Sequence, residues 1–186
     1  MKNKLAEKEK SSQKVADFLE KNSLHKKDFA QMIGVTLSYV YNLIDETIPF
    51  STRSTTLERI ATVMDIKPEE FEEYKIPQEP ILQDESIEYI KNMLHKKRIS
   101  VVNFLKSFPR KNRVNIVDML RGAYPLPIDF KELVMIGKTL DMDTEDIYNI
   151  WESRMKQVLE VNGMNLSSNA ALVNAMLDCA KKYVDA

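Results

Sequence analysis

IATVMDIKPEEF, Ile60 to Phe71, returns 76 positions later as IGKTLDMDTEDI, Ile136 to Ile147. Ile60/Ile136, Asp65/Asp141 and Glu69/Glu145 are identical, while Met64/Leu140, Ile66/Met142 and Phe71/Ile147 keep an apolar group and Glu70/Asp146 keep an acid. Pro49 and Pro125 obey the same offset, so the match extends upstream. Self-similarity at a fixed spacing predicts the same small helical unit twice in one chain.

Working outward, 186 residues leave room for two small domains, and the offset favours that division. Only four glycines, at 34, 122, 137 and 163, argue against a turn-rich β fold, and apolar residues recur at helical spacing almost throughout. The expected fold class is all α. Residues 1–12 read as a flexible basic tail, 13–75 as the first domain, 76–85 with Pro77 and Pro80 as a linker, 86–150 as the second domain, and 151–186 as C-terminal helices.

In the first unit the expected helices are 13–21, 26–33, 36–45, 56–65 and 68–74, with Thr55 and Glu58 as a capping box for the fourth. In the second they are 85–97, 101–108, 111–121, 130–140 and one from 144 onward, with Ser100, Asp129 and Asp143 as N-caps. Gly163 reads as a C-cap, and Ser167 or Ser168 opens a last helix carrying Leu172, Met176, Cys179 and Ala180 on one stripe. That stripe either seals the second core or joins two chains as a homodimer.

The stretch KKDFAQMIGVTLSYVYNLID, Lys26 to Asp45, reads as two helices crossing through a short turn. Ala30 is small where the helices approach, Gly34 sits where a positive φ is needed, and Thr36 caps the second helix. Phe29, Ile33, Val35, Val40 and Leu43 supply the apolar side. These residues resemble the helix-turn-helix of the phage-repressor (Cro/repressor, XRE) family, a lambda-repressor-like five-helix fold. The resemblance covers residues 15–74, including Val15, Phe18 and Leu19 on the leading helix and Leu57, Ile60 and Met64 on the trailing one.

The resemblance implies that the helix beginning at Thr36 enters the major groove of double-stranded DNA. Carried over position by position, base contacts fall to Leu37, Ser38 and Asn42, and phosphate contacts to Lys26, Thr36, Tyr39 and Arg53. Asn42 has the chemistry to bond adenine twice, Ser38 to bond either kind of partner, and Leu37 to touch a thymine methyl. Ile44, Asp45 and Glu46 depart from the family's usual helix ending, and two acids there oppose phosphate.

The second unit, ISVVNFLKSFPRKNRVNIVDMLRG from Ile99 to Gly122, keeps Phe104, Phe108 and Ile116 as core positions. It has Leu105 where a small residue is wanted, and Pro109 where the first unit has the turn glycine. Arg110, Lys111, Asn112 and Arg113 nevertheless sit where a second recognition helix should begin, with Lys96, Lys97 and Arg98 before the preceding helix. Residues 13–75 carry 8 basic and 11 acidic groups and residues 84–150 carry 11 and 10, so the second unit offers the better charge match to phosphate.

Enzymatic readings find little support. His25 and His95 precede helices without a ligand set around them, and HExxH, paired CxxC, phosphate-cradling glycine loops and nucleophile elbows are absent. Trp151 and the ten methionines read as core filling. No cofactor, metal or small-molecule ligand is expected. The first twelve residues lack the apolar centre of a secretory signal and no apolar run has the length of a membrane span, so a cytoplasmic, non-enzymatic protein is expected. The expected function is a sequence-specific DNA-binding transcriptional regulator, repressor-like, with two tandem helix-turn-helix units and a C-terminal helical extension. The rival expectation is a regulator or antitoxin-like protein in which one unit binds DNA and the other serves dimerisation or partner docking.

Overall fold

The computed structural model describes residues 10–50, 52–75, 85–122 and 130–184, and every element among them is helical. Asp129 and most of the expected linker and N-terminal tail lie outside the described residues. The helices are α1 (Ser11–Lys21), α2 (Lys26–Ile33), α3 (Leu37–Leu43), α4 (Ser54–Met64), α5 (Glu85–Lys97), α6 (Val101–Lys106), α7 (Arg113–Leu120), α8 (Phe130–Thr139), α9 (Thr144–Val161) and α10 (Ala170–Val184). They gather into two compact units. The first holds α1–α4 with α6 and α7, and the second holds α5 with α8, α9 and α10.

This grouping differs from the sequence-based division at residues 76–85. Helices α6 and α7 pack on α2 and α4 and so group with the first unit. The physical reason lies in α7. Arg113, Ile116, Val117, Met119 and Leu120 are all buried, so the helix is covered on more than one side. Leu105, too large for the close crossing made at Ala30, is itself fully buried.

Local geometry does repeat at the spacing of the sequence match. Asp65 and Asp141 both adopt the left-handed conformation that ends a helix, with φ of +57° and +49°. Behind them the Ile66 and Met142 amides donate to the Ala61 and Gly137 carbonyls at 3.0 and 2.9 Å. Ser23 and Arg98, with φ of +47° and +56°, form a second such pair, and Leu24 and Ile99 donate to Leu19 and Leu94 at 2.9 and 3.0 Å.

In the first unit Phe29, Met32, Ile33, Val40, Leu57, Ile60, Phe71 and Phe104 form the interior. Each large side chain removed from water stabilises the fold by about 1.5–3 kcal/mol before entropy is counted. Phe50 stacks on Phe71 at 5.9 Å, and Phe104 meets Phe108 edge to face at 4.9 Å. The expected fifth helix at 68–74 is instead one 3-10 turn, Pro68–Glu70, because Phe71 turns extended (φ −94°, ψ 130°) to reach the core. Helix α4 starts one residue before Thr55 and has no side-chain cap, so the expected Thr55–Glu58 capping box does not form. Glu58 is buried instead and takes a hydrogen bond from the Tyr74 hydroxyl at 3.2 Å. Ser11 and Ser12, assigned to the tail by sequence, are buried at the start of α1, and Ser11 donates to Glu73 at 2.6 Å.

In the second unit α9 touches α5, α8 and α10 in turn. Ile136, Leu140, Ile147, Tyr148, Trp151, Val173 and Leu177 are buried there. A Cβ at Gly137 would lie 2.2 Å from Ile147 Cδ1, so glycine lets α8 and α9 approach. Asp143 caps α9 by accepting from the Asp146 amide at 2.8 Å, as its spacing predicts. The final helix begins at Ala170, after a turn in which Asn165 accepts from the Ser168 amide at 3.0 Å.

Candidate nucleic-acid interface

Helix α2 must stop at Ile33 for α3 to cross it, and Gly34 provides that stop. Its φ of +71° lets the amides of Gly34 and Val35 both reach the Ala30 carbonyl. A Cβ on Gly34 would also come within 2.7 Å of Val114 Cγ2 and 3.0 Å of Arg59 Nη1. Thr36 then starts α3, its hydroxyl accepting from the Tyr39 amide at 3.2 Å. Val40 and Leu43 are the inward anchors of α3, with 0% and 4% exposure.

The opposite side of α3 is open. Leu37, Ser38 and Asn42 are exposed together with Tyr41, which is 52% accessible and was not singled out from the sequence. The Lys26 ammonium lies 4.9 Å from the Tyr41 ring centre, a cation–π contact that draws a basic group toward the helix surface. Tyr39 is half-buried and donates its hydroxyl hydrogen to Thr52 at 2.7 Å, tying α3 to the loop before α4. Arg53 is exposed at the end of that loop.

Asp45, which looked adverse for a phosphate surface, closes a turn. It accepts from the Thr47 hydroxyl at 2.7 Å and the Thr47 amide at 2.9 Å, and these bonds hold its carboxyl below the usual value. The Asp45 carboxylate thus stays charged and closes the turn that follows α3.

Residues 14–77 match the family model of the Cro/C1-type helix-turn-helix DNA-binding domain. This stretch is one Cro/C1-type domain. No curated protein and no solved structure matches the chain at a significant level. The match spans α1 to α4 and the 3-10 turn after them, and ends before α6 and α7, which nonetheless pack on the Cro/C1-type domain.

The other basic cluster is arranged differently from the sequence expectation. Arg110, Lys111 and Asn112 form a 3-10 turn ahead of α7, beginning after Pro109 at φ −53°. Arg113 is buried: it donates to the Phe108 carbonyl at 3.3 Å and to Asp28 of the Cro/C1-type domain at 3.4 Å. Arg110 stays 61% exposed and lies 3.6 Å from the same Asp28. Lys111 is exposed, and Asn112 is half-buried. The structure therefore joins Arg110 and Arg113 to the start of α2.

A network missed by sequence reading holds α7 in place. Arg59 grips Asp118 with two hydrogen bonds of 2.7 and 2.6 Å, and Arg121 donates to the same carboxylate at 2.8 Å and to buried Glu58. Arg59 also reaches the Ile33 carbonyl at 3.4 Å, the end of α2. Burial pushes the Asp118 carboxyl up, but the bonds from both arginines outweigh it and hold the group below its ordinary value. Burial, then the charge of Glu58, pushes the Tyr74 hydroxyl up to about 12.

Among the described residues, no group of three or more His, Cys, Asp or Glu side chains could hold a metal ion. No helix there is long and apolar enough to cross a membrane.

Proposed function

We propose that the chain is a sequence-specific, non-enzymatic DNA-binding transcriptional regulator of the repressor kind, acting in the cytoplasm, with α3 as its reading helix. The observation that carries this reading is the polarity of α3. Val40 and Leu43 anchor it inward, while Leu37, Ser38 and Asn42 stand exposed on a domain of Cro/C1 type. In this reading Leu37, Ser38 and Asn42 meet base edges, and Lys26, Thr36, Tyr39 and Arg53 meet phosphates. Selection of bound fragments from random duplexes tests it: recovery of a preferred site supports the assignment, and recovery without any preference defeats it.

The burial of α7 favours a version with one reading helix per chain. An operator with two half-sites then needs two chains, because repeated half-sites about one helical turn apart are met by paired subunits. Leu172 and Met176 on α10 are 52% and 40% exposed, with Cys179 exposed one turn further on, which supports pairing through the C-terminal helices. Sedimentation at equilibrium distinguishes a homodimer from a monomer.

A further inference from the structure

We infer that the turn Arg110–Asn112 extends the backbone contact of the first helix-turn-helix, with Arg110 and Lys111 binding phosphates that flank the same half-site read by α3. The inference rests on the assignment of α3 as the reading helix. It differs from a second recognition helix in where the cations act.

Three observations carry it. Arg110 lines one open groove of about 830 Å3 together with Lys26, Lys27, Leu37 and Tyr41, so its guanidinium shares a surface with the first turn of α2 and the first residue of α3. Arg113 anchors the turn: its side chain is only 10% exposed and is spent on Asp28 and the Phe108 carbonyl. Asp28 is thereby paired from the interior, and Arg110, 61% exposed, faces outward at 3.6 Å. With Lys111 exposed in the same turn, four cations stand against Glu20 and Asp28 around this edge. That excess is complementary to a polyanion lying across α3, and guanidinium suits bidentate phosphate contact.

The experiment measures duplex affinity of the full chain against salt for the wild type, Arg110→Ala, Lys111→Ala and the double variant, with Asn42→Ala in parallel. Both substituted side chains are exposed, and thermal melts of each variant verify the fold. Each loss should flatten the plot of log affinity against log salt by about 0.9, leaving base preference unchanged. Ethylation interference should map the lost phosphates beside those sensitive to Lys26→Ala. An unchanged slope in the double variant overturns the inference, as does a lost contact about 34 Å along the duplex, where a second reading helix would dock. An unchanged slope with a preference still altered by Asn42→Ala sinks this inference alone. A wild type without salt-dependent duplex binding sinks the reading of α3 as well.

Discussion

Asn42 has both a donor and an acceptor on the exposed side of α3, so it has the chemistry to distinguish adenine from other bases. Asn42→Ala should relax preference at one base pair by about 1–3 kcal/mol. Competition binding against duplexes changed at each position reads the effect directly. Gly34 is a stability position. Its φ of +71° costs an L side chain about 1–2 kcal/mol, and the 2.7 Å approach to Val114 adds an overlap. Gly163→Ala, with φ +84° and nothing within 4 Å, isolates the backbone part. Gly34→Ala should lower the urea midpoint by more than Gly163→Ala, and the excess measures contact with Val114 of α7 and Arg59 of α4.

At the scale of elements, α7 is fastened to α4 by Arg59, Asp118, Arg121 and Glu58. Asp118 is the shared acceptor of both arginines in this part-buried set. Removing its charge takes the carboxylate from Arg59 while Arg121 keeps Glu58, so Asp118→Asn should cost about 1–3 kcal/mol in denaturant titration. The folded Asp118 value lies below that of the unfolded chain. Its contribution is therefore present above about pH 4 and is lost as pH falls through the lower folded value. Tyr74 acts in the alkaline direction. Raised to about 12, it favours the folded state below its unfolded value of about 10 and loses that contribution as pH rises through about 12. A melting series across both limits should show two declines, and Asp118→Asn should blunt the acidic one.

Most helices were legible because their signals are local. Periodicity located ten helical segments, and Thr36, Ser100 and Asp143 accept the amide hydrogen bonds expected of caps. Gly34 marks the turn by the positive φ it was expected to supply. The partners of α6 and α7 were not legible in that way. Arg113 finds Asp28 across 85 residues, and Arg59 finds Asp118 across 59, distances over which spacing carries no information on pairing. One signal was present: Val114, Ile116, Val117, Met119 and Leu120 are too many apolar groups for a helix with one dry side. The helix at 68–74 shows the reverse error. Acids and a proline favoured it locally, and burial of Phe71 overruled them.

For the molecule as a whole, the Cro/C1-type domain does not end its packing where its family match ends. A fragment stopping near Gln78 lacks α6 and α7, exposes the sides of α2 and α4 they cover, and leaves Arg59 and Glu58 without Asp118 and Arg121. It should melt well below the full chain, or without a cooperative transition, in circular dichroism. Pairing through α10 makes a separate prediction: Leu172→Lys with Met176→Lys should leave a monomer in sedimentation and weaken binding to a two-half-site duplex more than to a single half-site.

The chain passes from one unit to the other before α5, returns before α6 and leaves again before α8. A ribosome releasing it from the N-terminus therefore finishes neither unit in order. The DNA-binding half waits for Arg121 to emerge, and by then α5 is already outside and without its mates. The first unit can close once α7 is out, whereas α5 must wait for α8, α9 and α10, so a premature stop just after α7 would spare the first unit and spoil the second.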